Sequence, residues 1–197
     1  MSLSLGNIWS KKSQTNLSNN NSSNNSIIMS RTMSKRRPKI PKKIYNGMGT
    51  KAYWGTPTWL LFHTLAEKAN PEKYKKHYLV VWEFIKEVCS GLPCPYCKQH
   101  AVNYVNSISI SSINTKEKLI NKLFDFHNDV NVKTGKSKSN NIVLHKYKNA
   151  NLNKILKLFL DRFFVSYIGR RQFDDWIKNK LKQKTDIFLE FYIENIL

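Results

Sequence analysis

The chain has 197 residues, with 33 Lys and Arg against 13 Asp and Glu, a formal net charge of +20. That length holds one domain of ordinary size plus a tail. Three cysteines are too few, and odd in number, for a disulfide-stapled secreted framework. No apolar run approaches the roughly 18 residues of a membrane span, and the opening MSLSLGNIWSKKSQ lacks the long apolar core of a signal peptide. A cytosolic or nuclear setting is expected, where a C-x-x-C pair means redox chemistry or metal. The charge has two readings: attraction to nucleic acid, anionic membrane or acidic proteins, or the Asn/Lys/Ile excess of an AT-rich genome.

Residues 1–48 read as a disordered tail. Ser13 to Asn25 is mostly Ser and Asn, and Arg31 to Lys43 is a basic run broken by Pro38 and Pro41. So little apolar surface does not offset the entropy of ordering. SKRRPKIPKK fits a nuclear-localisation or nucleic-acid patch, and fits a solvated linker of a Lys-rich protein better.

The folded part is expected from near Tyr53. Thr56 as N-cap and Pro57 in the first turn open a helix whose Trp59, Phe62, His63 and Ala66 share one face. Asn70-Pro71 ends it. Tyr74 to Cys89 is a second helix, striped by Tyr78, Val81, Trp82, Ile85 and Val88, and Gly91 and Pro93 break it. A third helix opens at Cys94 and carries Ala101, Val102 and Val105. Ser107 to Ser112 is a polar connection whose alternating isoleucines also fit a short strand. Thr115 caps a fourth helix with Leu119, Ile120, Leu123, Phe124 and His127 inward, followed by a loop over residues 132–141. Leu152 to Ile168 is helical, with Ile155, Leu156, Phe159, Leu160 and Phe163 apolar and Gly169 as its stop. Phe173 to Leu197 makes one or two more helices, with Trp176, Ile177 and Leu181 as a stripe. The fold class is an all-α bundle.

Two constellations carry chemistry. Cys94-Pro95-Tyr96-Cys97 places a dithiol at a helix start, where free N–H groups and the helix dipole favour a thiolate. CPYC is also the glutaredoxin tetrapeptide, but a helix, not a strand, leads into it here. Cys89, Cys94, Cys97 and His100 have the chemistry of zinc ligands, without the usual two separated ligand pairs. At the end of the fourth helix, His127, Asn128 and Asn131, followed by Lys133 and Lys136, offer several donors to an anionic ligand with a heteroaromatic ring. No Rossmann or Walker loop is present.

In order, Trp54-Gly55-x-x-x-Trp59-x-x-x-His63, then Cys94-x-x-Cys97, then His127-Asn128-x-Val130-Asn131 with Lys following resembles the Erv/ALR family of FAD-linked sulfhydryl oxidases, in the form carried by large DNA viruses. The resemblance covers about residues 50 to 145. It implies a four-helix bundle plus a short fifth helix over residues 49–148, with 149–197 completing or extending the bundle. It implies FAD, with Cys97 the flavin-proximal sulfur and Cys94 the one attacked by an incoming thiolate. Trp59, His63, His127, Asn128 and Asn131 would contact FAD, and Lys133 and Lys136 would approach its phosphates. No metal is expected. The implied activity is disulfide formation in protein thiols, a thioredoxin-like relay protein among them, with electrons passed to O2 to give H2O2.

A homodimer is implied too, acting in the host cytoplasm or viral factory or packaged in the virion, and not secreted. The chain departs from the pattern in lacking a second cysteine pair after the His-Asn motif and in lacking a nearby Trp there, the next being Trp176. Cys89 is left over, either a buried apolar residue or a relaying or subunit-linking thiol. Two other classes fit the residues: a zinc-stabilised basic adaptor binding nucleic acid through its tail, and a non-catalytic partner-binding bundle.

Overall fold

The computed structural model describes residues 50–167 and 172–197. The expected tail and the helix stop at Gly169 lie outside the described residues. Among these residues there are six α-helices, three short 3-10 turns and no strand. The helices are α1 (Lys51–Lys68), α2 (Pro71–Ser90), α3 (Pro95–Ser107), α4 (Lys116–Lys133), α5 (Leu152–Phe163) and α6 (Gln172–Asn195).

Local chemistry sets most helix ends. Asn70 caps α2, its side-chain oxygen accepting the Glu72 and Lys73 N–H groups at 3.1 Å. Pro71 then occupies the first turn, where a missing N–H costs nothing. Thr115 caps α4 and Asn151 caps α5. The start of α1 differs from expectation: Thr50, not Thr56, is the cap, and Pro57 lies inside the helix. The extra turn is held because Trp54 is buried in the core. The Thr58 hydroxyl also donates to the Trp54 carbonyl at 2.7 Å. The isoleucine-rich connection contains a 3-10 turn at Ile110–Ser112, not a strand, and a second turn spans Asn141–Tyr147. The α-helix expected to reach Ile168 stops at Phe163 and tightens into a 3-10 turn at Phe164–Tyr167.

The α1–α2 pair lies between two others. On one flank, α3–α4 packs through Trp59 edge-on to Phe126 at 5.1 Å, and Tyr74 donates to the Ile113 carbonyl at 2.7 Å. On the other flank, α5 runs antiparallel to α1: Arg162 lies over the Tyr53 ring, and Lys68 donates to the Lys148 carbonyl. α6 runs antiparallel along the whole of α2. Leu181 meets Gly91, Lys184 pairs with Glu87, Phe188 stacks on Phe84, Phe191 meets His77, and the Ile196 carbonyl accepts the Asn70 N–H.

This central position explains α1, whose buried residues run from Trp54 through Ala66 with no continuous polar face. One apolar core joins all six helices. Cys89 is part of it, 1% exposed, as a small buried residue. Trp176 departs from its expected stripe: it is 60% exposed while Leu181 is buried. No described helix is long and apolar enough to cross a membrane.

Candidate active site

Cys94 is the N-cap of α3, and its Sγ accepts the Cys97 N–H at 3.2 Å. The sulfur therefore sits where a helix presents its unpaired donors and positive dipole end. Both thiols are free and half-buried, and Tyr96 between them is largely exposed. The two sulfurs are unequal. Partial burial pushes the Cys94 thiol up, but hydrogen bonds from the Cys97 thiol and backbone and from the Tyr96 backbone, with the charge of Lys51, carry it below its ordinary value. Cys97 is pushed up to about 11 by burial, by donating to Cys94 and by the Cys94 charge, against a lowering by Lys51. Of the reduced pair, Cys94 is the sulfur that ionises first.

A second cluster lies between α1 and α4. Trp59 and His127 stack in parallel, centroids 4.2 Å apart. His63 Nε2 and His127 Nδ1 share a hydrogen bond of 3.2 Å, and Tyr147 stacks on His63 at 4.8 Å. Burial, then His127 and Lys146, lowers His63 to about 3, and burial, then Lys146 and Lys136, lowers His127 to about 4. Both rings are neutral at pH 7, so one donates to the other. His63 is 3% exposed, yet its Nδ1 has no hydrogen-bond partner among the described residues. A buried ring nitrogen left open beside flat aromatic faces suits a planar heteroaromatic ligand that carries polar edges.

The two clusters share one seam. His100, one helical turn after Cys97, hydrogen-bonds Asp129 on α4 at 2.7 Å, and its ring lies 6.4 Å from Phe126. Phe126 in turn meets Trp59. His100 is thus engaged by a carboxylate. Among the described residues no group of three or more His, Cys, Asp and Glu is arranged to hold a metal ion.

Of the residues singled out in the sequence, Trp59, His63 and His127 come into direct contact. The Asn128 amide is occupied by the loop: its oxygen accepts the Ser139 N–H at 2.8 Å, and its nitrogen donates to the Ser139 carbonyl at 3.3 Å. That clamp folds the loop after α4 back, so that the Asn141–Tyr147 turn covers the cluster. Asn131 is half-buried, its carbonyl accepting the Lys136 N–H at 2.8 Å. Lys133 pairs with Asp129 at 3.5 Å, and Lys136 is exposed. Sequence reasoning missed Lys51, Lys146 and Tyr147. Tyr147 lies in a Lys- and Asn-rich stretch without periodicity, and its one signal is an aromatic residue inside a polar run.

The model of the Erv1 / Alr family matches residues 56–154, half of the 197-residue chain. A relative in Invertebrate iridescent virus 6 is 32% identical over 89 residues, covering 42% of this chain and 80% of its own. The FAD-linked sulfhydryl oxidase of African swine fever virus (isolate Pig/Kenya/KEN-50/1950) is 29% identical over 106 residues, 53% of this chain and 85% of that one. A relative in Frog virus 3 (isolate Goorha) is 29% identical over 94 residues, 46% of this chain. The matched stretch spans 63% of the Frog virus 3 protein and 57% of one from Invertebrate iridescent virus 3. No solved structure matches the chain. With a dithiol at the mouth of α3, a tryptophan–histidine cluster on the same seam and a family match that contains both, this protein belongs to the Erv1/Alr family.

Proposed function

We propose that this protein is an FAD-dependent thiol oxidase that makes disulfide bonds in protein substrates. The observation that carries the reading is the open, buried Nδ1 of His63 within the Trp59–His127–Tyr147 stack, on the same seam as the Cys94–Cys97 dithiol. Trp59, His63, His127 and Tyr147 would hold the flavin ring. Lys136 and Lys146, whose charges act on His127, lie on the side suited to an anionic tail, with Asn128 holding the loop and Asn131 and Lys133 at its edge. A bound flavin supplies a two-electron acceptor for the dithiol and a route for that electron pair to O2, giving H2O2.

The protein's own part follows from the two sulfurs. In the oxidised pair, a substrate thiolate attacks Cys94 Sγ, the more exposed end of the helix cap, and the Cys94–Cys97 bond breaks with its electron pair on Cys97. While Cys94 is held in the mixed disulfide it has no charge to oppose that of Cys97. A second substrate thiolate then attacks the substrate sulfur, and Cys94 leaves as a thiolate stabilised by the α3 N-terminus and Lys51. The substrate leaves oxidised by two electrons and the pair is reduced. Cys97 must then lose its proton before its sulfur can give up electrons. The neutral His63–His127 pair adds no positive charge beside the ring.

The substrates are protein thiols, a thioredoxin-like relay among them, and the viral origin of the relatives points to the host cytoplasm, viral factory or virion as the place of action. The basic run at Arg31 to Lys43 offers charge for nucleic-acid contact, which salt-dependent binding would reveal. The visible spectrum of the purified protein tests the central reading. A flavin band that bleaches with dithiothreitol under anaerobic conditions and returns in air is expected. Cys97→Ser should keep the band and lose turnover. A colourless protein that takes up no added FAD, or full turnover in Cys97→Ser, refutes the proposal.

A further inference from the structure

The Cys97 thiol has to shed a proton before its sulfur gives up electrons, and α3 carries an imidazole one turn away. We infer that His100, oriented by Asp129, is the group that accepts the Cys97 proton. The inference rests on the thiol oxidase reading for its purpose, and on the placement of three side chains for its substance.

Helix geometry puts Cys97 and His100 on one strip of α3. His100 is three residues after Cys97, about 60° short of a full turn, and Tyr104 is seven after it, about 20° short of two turns. Neighbours at i and i+3 have Cβ atoms about 5 to 6 Å apart. Side chains on a helix lean toward its N-terminus, so the His100 ring lies over the turn that holds Cys97. The strip faces α4: Tyr104 stacks on Phe126 at 4.2 Å, and His100 Nε2 is 2.7 Å from Asp129 Oδ2. Cys97 and His100 are both half-buried.

The carboxylate decides which ring nitrogen is free. A carboxylate oxygen accepts, so Nε2 carries the hydrogen and Nδ1 keeps its lone pair. Nδ1 is the nitrogen nearer the backbone. It stays beside α3 while Nε2 reaches α4, and among the described residues it makes no hydrogen bond. A thiol, an imidazole and an orienting carboxylate in that order are the parts of an activated sulfur nucleophile.

Burial, the hydrogen bond to Cys94 and the Cys94 charge push Cys97 up to about 11, where only roughly one thiol in ten thousand is ionised at pH 7. When Cys94 is held in a mixed disulfide it bears no charge, and burial remains. In the inferred step the Cys97 S–H bond breaks, its electron pair stays on sulfur, and an N–H bond forms at His100 Nδ1. Nothing is oxidised in this step. Asp129 holds the imidazolium, and the side chain, 18% exposed, passes the proton on to water. Around the strip stand Asp125, Asp129 and Lys133 on α4, Lys51 on α1, and Cys94 and Tyr104 on α3 itself.

Alkylation of Cys97 by iodoacetamide in full-length Cys94→Ser tests the inference, because serine, like the mixed disulfide, puts no charge at position 94. Peptide mass spectrometry separates Cys97 from the buried Cys89. The rate against pH should show two limbs, the lower from a thiolate–imidazolium pair. His100→Gln, which can still hydrogen-bond Asp129, should lose the lower limb and slow alkylation at pH 7 by about tenfold or more. His100→Asn should do the same, and Asp129→Asn should do so in part. An unchanged profile in the His100 variants overturns the inference. So does a rate lowered equally at every pH, which would make His100 only a link between α3 and α4. An unchanged profile in Asp129→Asn overturns the part given to the carboxylate. No flavin enters the measurement, so a colourless protein would sink the oxidase reading and leave this result readable.

Discussion

Two tyrosine hydroxyls provide a quantitative test of the packing, because the same change, Tyr→Phe, removes them from different circumstances. Tyr192, on α6, donates to the Leu65 carbonyl at 2.6 Å. That carbonyl also accepts the Ala69 N–H at 3.2 Å. Tyr74, on α2, donates to the Ile113 carbonyl at 2.7 Å, and no backbone donor among the described residues reaches that oxygen. All four residues are at most 1% exposed.

Tyr192→Phe therefore loses one bond but leaves no carbonyl without a donor, and should cost about 1 kcal/mol. Tyr74→Phe leaves a buried carbonyl unpaired and should cost about 2 to 3 kcal/mol. Urea unfolding followed by far-UV circular dichroism reads the difference. With a slope of about 2 kcal/mol per M, the midpoints should fall by about 0.5 M and by more than 1 M respectively. Equal losses, or a larger loss in Tyr192→Phe, would refute the counting of donors and with it the account of how α6 is tied to α1.

Other predictions follow from the site and its supports. Alkylation of the reduced protein should modify Cys94 before Cys97, and Lys51→Glu should move the pH midpoint of Cys94 alkylation upward, because it replaces a charge that favours the thiolate; an unmoved midpoint would remove Lys51 from the site. His63 and His127 have folded-state values of about 3 and 4, below the ordinary 6.5. As pH falls through 6.5 the unfolded chain binds protons that the folded chain refuses, so stability should decline from there to about pH 3. Urea midpoints at pH 7 and pH 4.5 check the sign, and His63→Asn should flatten the slope. A Cβ at Gly91 would overlap the Leu181 side chain, while the backbone there (φ −100°) accepts any residue. Gly91→Ala should cost about 1 kcal/mol, the low end for overpacking because a leucine tip can rotate, and Leu181→Ala should relieve part of that cost in the double variant.

What the sequence by itself determined is local. Asn70-Pro71, Gly91 and Thr115 mark helix ends because a cap or a breaker acts on N–H groups within a few residues of itself. The dithiol at a helix start follows from the same short-range rules. The order of the Trp-His, C-x-x-C and His-Asn motifs was legible too, and pointed to the right family. Only the tertiary structure decided which partners those motifs meet. Thr50 takes the cap that Thr56 was expected to hold because Trp54 has a core to enter.

Asn128 clamps Ser139, and Tyr147, not a tryptophan, completes the stack on His63. α1 has no continuous polar face because it is covered on two flanks, by α4 and by α5, and Tyr192 of α6 reaches its Leu65 carbonyl from 127 positions away. Hydrophobic contact is non-directional and its partners are chosen by the packed whole. Contacts across such separations leave no periodic trace in the segment that receives them, whereas a helix cap is written beside the helix it closes.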